Sequence, residues 1–137
     1  MERITVEVAL NADLSRVWNA WTIGEEIVNW NFASEDWCCP HASSDLRVGG
    51  KFTSRMEAKD GSFGFDFEGV FTRIDVQKAI HYTLPDGRKV EVEFIQEESH
   101  VRVIEHFDAE GENPVEMQRA GWQAILFNFK KYVESHS

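Results

Sequence analysis

Cysteine, proline and positive charge are all scarce in this 137-residue chain, and each shortage removes a class of protein. The two cysteines, Cys38 and Cys39, are adjacent, so they cannot staple a long loop; a disulfide-built secreted fold is excluded and a reducing compartment fits. Three prolines beside an aromatic content of 12% argue against a disordered chain. Fourteen basic residues against twenty-four acidic ones leave a formal charge of −10, a field that repels phosphate backbones and anionic membrane surfaces. Nucleic acid is therefore not an expected partner. No apolar run approaches the roughly eighteen residues of a membrane span, and the opening Met1–Val8 alternates polar with apolar where a signal peptide would be continuously apolar. Internal repeats, low-complexity tracts and linkers are absent too. These absences predict a cytoplasmic chain without membrane insertion, folded as a single domain over residues 1–137.

What is present is periodic. Ile4, Val6, Val8 and Leu10 recur at period two, the mark of a half-buried strand. Asn11 offers a cap for a short helix whose inner face is Leu14, Val17, Trp18 and Trp21. Thr22 and Glu25 form a T-x-x-E capping box, which predicts a second short helix toward Trp30. From Asn31 to Asp45 no period holds, so that stretch is expected to be a long loop. Strand patterns follow over about Asp45–Val48, Lys51–Ala58, Ser62–Asp75, Ala79–Leu84, Lys89–Gln96 and His100–Asp108. Gly49-Gly50, Asp60-Gly61 and Asp86-Gly87 supply hairpin turns, while Gly64 and Gly69 suggest bends or bulges. Asn113-Pro114-Val115-Glu116 opens a final helix of about 22 residues, roughly 33 Å long.

A strand, two short helices, a meander and one long helix is the order in which the first strand pairs beside the last to close a sheet around the terminal helix. Val17-Trp18-Asn19-Ala20-Trp21-Thr22, Asp45–Phe52, Phe65–Gly69 and Gly121–Leu126 carry the comparison further. These motifs, and the stretch from Asn113 to Ser135 most closely, resemble the family of activator of heat-shock-protein-90 ATPase homologues, in the START-like and polyketide cyclase superfamily. The resemblance spans nearly the whole chain. It implies an α+β helix-grip fold: a curved antiparallel sheet of six to seven strands around a long C-terminal helix, with two short helices after the first strand. It also implies a hydrophobic ligand, since family members are commonly described as ligand-binding proteins. The co-chaperone domain that names the family leaves a protein partner open.

Strand alternation places Phe52, Ser54 and Met56 on one face, as it does Phe63, Phe65 and Phe67, and in turn Ile80 with Tyr82 and Val101 with Val103 and Phe107. Facing Met117, Gly121, Trp122, Ile125 and Phe129 of the helix, these residues build either a solid core or, as the helix-grip order favours, an apolar container. Glu105 lies in phase with Val101 and Val103, which directs a carboxylate inward; it either orients or protonates a ligand, or pairs with a core donor such as Arg55. Tyr82 offers a phenol or is simply core. Trp30, Trp37 and His41 flank the expected loop as lid residues, with His41 a candidate general base. The candidate site is thus Trp37, His41, Met56, Phe65, Phe67, Tyr82, Glu105, Gly121, Trp122 and Ile125, with Glu105 and His41 the candidates for catalysis in a cyclase- or dehydratase-like alternative. No metal or cofactor is expected: Cys38, Cys39 and His41 lack a second pair of ligands, and the glycines of residues 61–64 precede no Lys-Ser/Thr pair.

Overall fold

Period-two alternation builds the sheet strand by strand. In the computed structural model, which describes residues 2–136, the elements run β1 (Arg3–Leu10), α1 (Leu14–Thr22), α2 (Gly24–Ile27), β2 (Trp37–Ser44), β3 (Lys51–Ala58), β4 (Gly64–Asp75), β5 (Ala79–Thr83), β6 (Lys89–Gln96), β7 (Val101–Asp108) and α3 (Val115–Ser135). Met1, which opens the alternating run, and Ser137 lie outside the described residues. All pairings are antiparallel, in the order β1-β7-β6-β5-β4-β3-β2, and the first strand does lie beside the last. The sheet curls as a half-barrel whose inner face carries Ile4, Val6, Val8, Val90, Val92, Phe94, Val101, Val103 and Phe107, each no more than 6% exposed. Opposite them α3 buries Leu126, Phe129 and Val133 completely. Removing such a side chain from water contributes about 1.5–3 kcal/mol each.

One end of the space between sheet and helix is filled by aromatics. Trp21 and Trp30 meet Phe129 edge-on at 4.9 and 4.7 Å, and Trp18 meets Phe94 at 5.3 Å. The indole of Trp30 donates to the Ala20 carbonyl at 3.0 Å, so its polar atom is satisfied inside. Helix α3 also covers the free edge of β1: Gln123 and Arg119 donate to the Glu7 and Thr5 carbonyls at 2.9 and 3.3 Å. A second tie holds α2 to α3, where Arg16 (2.6 Å) and the Tyr132 hydroxyl (2.5 Å) both donate to Glu26.

Several local expectations need correction. Residues 37–44 are a strand, not a loop, and 45–48 are not a strand. Trp37–Ser44 is an edge strand, paired on one side only, with a bulge between Cys38 and His41 that accommodates Pro40. An edge strand that carries a bulge and a proline shows no clean period, because the bulge shifts its phase and only one edge needs a donor. Asp45–Gly50 is instead a compact turn, closed by the Asp45 N–H to Lys51 carbonyl bond and the Gly50 N–H to Arg47 carbonyl bond. Gly50 is required there, since a Cβ would sit 2.1 Å from the Asp45 carbonyl oxygen.

The helix caps also differ. Asp13, not Asn11, precedes α1, while the Asn11 N–H is taken by Glu134. The T-x-x-E box does not form: the Thr22 hydroxyl donates back to the Trp18 carbonyl at 2.8 Å, and α2 begins only at Gly24. Gly64 and Gly69 mark close approaches, not bends. A Cβ on Gly69 would lie 2.8 Å from the Phe52 ring, and the β4 bulge falls between Phe71 and Arg73. Finally, Met117 and Phe63, expected inside, are each 61% exposed: Met117 lies in the first turn of α3 and Phe63 in the turn before β4.

Candidate functional site

The aromatic packing does not fill the groove. Toward β3 and β4 it leaves a cavity of about 220 Å³, lined by residues from the sheet, α3 and the α1–α2 region. Phe52, Ser54 and Met56 of β3 and Phe65, Phe67 and Phe71 of β4 form one wall. Their register, Ser54 opposite Phe67 and Met56 opposite Phe65, puts all of them on the concave face. Trp122 and Ile125 form the roof. Trp122 is held flat against Phe107, with ring centres 3.9 Å apart and planes within 11°, and its edge faces Phe67 at 6.1 Å. Among the lining residues, Ser43, Leu46 and Phe65 also face solvent, and they mark the opening.

Two acidic protons line the deep part. Glu105 is 5% exposed, flanked by Val6 on β1 and Val92 on β6, and forms no ion pair among the described residues. Arg55, its alternative partner in the sequence, points to the convex face, where it pairs with Glu57 at 3.0 Å and Asp66 at 3.4 Å. With no compensating charge, burial alone raises the Glu105 carboxyl from 4.5 to about 8. It is therefore mostly a neutral acid near pH 7. Tyr82, 8% exposed, reaches the cavity from β5; burial, and then the neighbouring Glu105, push its phenol well above the usual range. No lysine, arginine or histidine lines the cavity.

The structure brings together Met56, Phe65, Phe67, Tyr82, Glu105, Trp122 and Ile125 from the sequence-derived set. It leaves out three. His41 sits opposite Arg55 in the strand register and is exposed on the convex face, so it cannot act with Glu105. Trp37 does not line the cavity; it packs beside its rim against Phe63 and Phe65, at 6.0 and 6.1 Å. Gly121 does not line the cavity, and a Cβ placed on it meets nothing within 4 Å. Conversely, Thr22, Asn31, Ser43, Ser44 and Leu46 line the cavity without having been expected there. Most of them lie in or beside the aperiodic stretch, where no pattern announces a facing.

Among the described residues, no group of three or more His, Cys, Asp or Glu is arranged to hold a metal ion. Cys39 is buried, which raises its thiol, and its Sγ lies 3.5 Å from the His41 carbonyl. No helix among the described residues is long and apolar enough to cross a membrane.

The family model described as "Activator of Hsp90 ATPase homolog 1-like protein" matches residues 11–134. The chain belongs to this family. The AHSA1-like protein of Aeromonas hydrophila, solved in solution, is 44% identical with a TM-score of 0.93, over 98% of this chain and 94% of that one. A solution structure from Cytophaga hutchinsonii is 45% identical with a TM-score of 0.84, covering 98% and 93% of the two chains. A crystal structure from Nitrosomonas europaea shares the fold at 19% identity, with a TM-score of 0.85 over 98% and 96%. No curated protein matches the chain. The AHSA1-like assignment carries the START-like, helix-grip architecture with it, and that is the architecture seen in the sheet order and α3.

Proposed function

We propose that this protein binds a small, largely apolar ligand in the cavity between the sheet and α3. The observation that supports this most is the cavity itself: about 220 Å³ left open in an interior otherwise packed with interlocking rings, lined by six aromatics of the sheet and α3. Protein interiors normally close such spaces, because each missing contact forfeits dispersion energy. Apolar clefts with a few convergent polar groups are the usual form of small-molecule sites. The bound molecule enters past Ser43, Leu46 and Phe65 and lies under Trp122.

Thermal-shift screening against flavonoids, polyketides and fatty acids tests the proposal. A ligand at one hundred times its Kd stabilises the fold by about 2.7 kcal/mol, or about 8 °C for a chain of this size. Amide chemical shifts must then move at Trp122, Ile125 and Met56 and stay fixed at His41. No stabilisation by any compound, or shifts confined to the convex face, would refute it.

One observation favours a second reading, a cyclase- or dehydratase-like enzyme. Glu105 keeps its proton near neutral pH and can deliver it to a bound oxygen. On that reading Glu105→Gln retains ligand affinity and loses turnover.

A further inference from the structure

The lining of the cavity is one-sided in its hydrogen-bonding character. At its inner wall stand a carboxyl that is 95% shielded from solvent, with no ion pair, and the phenol of Tyr82. Neither side chain forms a hydrogen bond with another described residue, and each has a proton to give. The cavity has no cationic lining residue, and the whole chain carries a charge of −10. Sheet order sets the direction: β7, which carries Glu105, is four strands removed from β3, and the solvent-facing rim lies at β2, at β4 and in the turn before β3. A ligand entering from the rim therefore brings its leading end to Glu105.

We infer that Glu105 is the specificity-determining residue of this cavity: its carboxyl donates a hydrogen bond to the leading carbonyl oxygen of an uncharged ligand, and it rejects ligands that end in a carboxylate. The inference rests on reading the cavity as a ligand site. An anionic head would lose its water and meet a second acid with no cation in reach, which is the arrangement that raises rather than relieves a carboxyl. A carbonyl oxygen meets a donor already desolvated and otherwise unpaired. An ammonium head would require Glu105 to release its proton to solvent and form a buried ion pair, whose attraction is largely offset by desolvating both charges. The groups facing Glu105 set no competing titration: β1 and β6 present Val6 and Val92, α3 presents Trp122, and β5 presents Tyr82, whose phenol stays protonated.

The test uses four naphthalenes on the full chain: the ethyl, acetyl, carboxylate and aminomethyl derivatives, with affinities from calorimetry. At about pH 6 the acetyl compound is expected to bind on the order of tenfold more tightly than the ethyl one, and the carboxylate and amine more weakly than either. Glu105→Leu should make acetyl and ethyl equal. Glu105→Gln, whose amide still donates, should keep the acetyl preference. Raising the pH to about 9.5 ionises the carboxyl and should abolish the preference in the natural protein but not in Glu105→Gln. Ethyl binding without any acetyl preference, tighter carboxylate binding, or a preference that survives in Glu105→Leu overturns the inference and leaves the container reading standing. Failure of all four to bind overturns both.

Discussion

Replacing Glu105 by glutamine should make the protein more stable, by an amount that grows with pH. The carboxyl titrates at 4.5 in the unfolded chain and at about 8 in the folded one. Between those values the unfolded state has released a proton that the native state still holds. Stability therefore falls as pH rises through the window, at up to about 1.4 kcal/mol per pH unit, and levels off above about pH 8. Below about 4.5 both states are protonated and nothing is lost. Summed over the window, ionisation costs the native state about 4 kcal/mol between roughly pH 5 and pH 9. That is a large part of the 5–15 kcal/mol that holds a domain of this size together. Glutamine is nearly the same shape and cannot ionise, so the variant escapes the whole of this loss.

The assay is urea unfolding of both proteins at about pH 5, 7 and 9, followed by fluorescence of the five tryptophans. Every other titrating group, including the five histidines, is common to the two and cancels in the difference. The two should agree within about 1 kcal/mol at pH 5 and differ by about 3 at pH 7 and 4 at pH 9, in favour of the variant. A difference that stays flat across the range would show that Glu105 titrates normally, through a partner or water absent from the arrangement described, and the neutral-donor account would fall with it.

Three further substitutions probe the frame around the site. Gly121→Ala should stabilise the protein by about 1 kcal/mol, since helix propensity improves and the new methyl meets nothing within 4 Å; a lower melting temperature would refute this. Gly69→Ala should destabilise by about 1–3 kcal/mol, because its Cβ would crowd the Phe52 ring at 2.8 Å and the Thr83 carbonyl at 3.0 Å; calorimetry of the pair gives both signs in one experiment. Gln118→Ala should cost about 2 kcal/mol: the buried amide accepts from the Glu110 N–H and donates to the Glu110 and Asn113 carbonyls, which fix the turn that aims α3 across the sheet. Its effect should appear as faster hydrogen exchange in residues 109–118.

How far the sequence alone reaches depends on whether a segment's neighbours impose a period on it. β1, β3 and β6 have the expected ends; in β1 one face is buried along its whole length, and in β3 and β6 buried residues alternate through the middle, so alternation and structure are the same fact there. The hairpin glycines Gly49, Gly61 and Gly87 are legible for a similar reason: each adopts positive φ, of 86°, 78° and 91°, which few other residues tolerate. β2 is invisible because it is an edge, bulged at Pro40, with cysteines, a histidine and serines on it. Its loss from the sequence reading had a consequence for the site. Placing residues 31–45 in a loop made Trp37 and His41 into a lid, whereas the register fixes His41 on the convex face, and the exposed lining residues at the opening include Ser43 and Leu46. Glu105 is marked by its phase, a carboxylate on a stripe of valines, together with its resemblance to the family pattern in the last strand. Phase shows that a group points inward, but whether it has a partner there is a tertiary fact, decided by where Arg55 goes.

That last point bears on why the carboxyl is there at all. A buried polar group without a partner is a net loss to the fold, and an apolar residue of similar volume would pack against Val6 and Val92 with no penalty. Glu105 is unlike Gln118, whose buried amide holds a turn through its hydrogen bonds, and unlike Glu26, which ties α2 to α3. Each of those polar groups does structural work that can be named from its contacts. Glu105 makes no such contact, yet it lines the open cavity between sheet and helix and shares it with a second unpaired proton donor. Stability does not account for it, whereas the ligand contact proposed above would. The same reasoning predicts that a ligand with the right acceptor will extend the dependence of stability on pH: sharing the acid proton with a bound oxygen raises the folded-state carboxyl further, while the unfolded chain still titrates at 4.5. With saturating acetylnaphthalene the stability should start higher and go on falling above about pH 8, where that of the free protein levels off; levelling at the same pH would mean that the bound oxygen and the carboxyl do not meet.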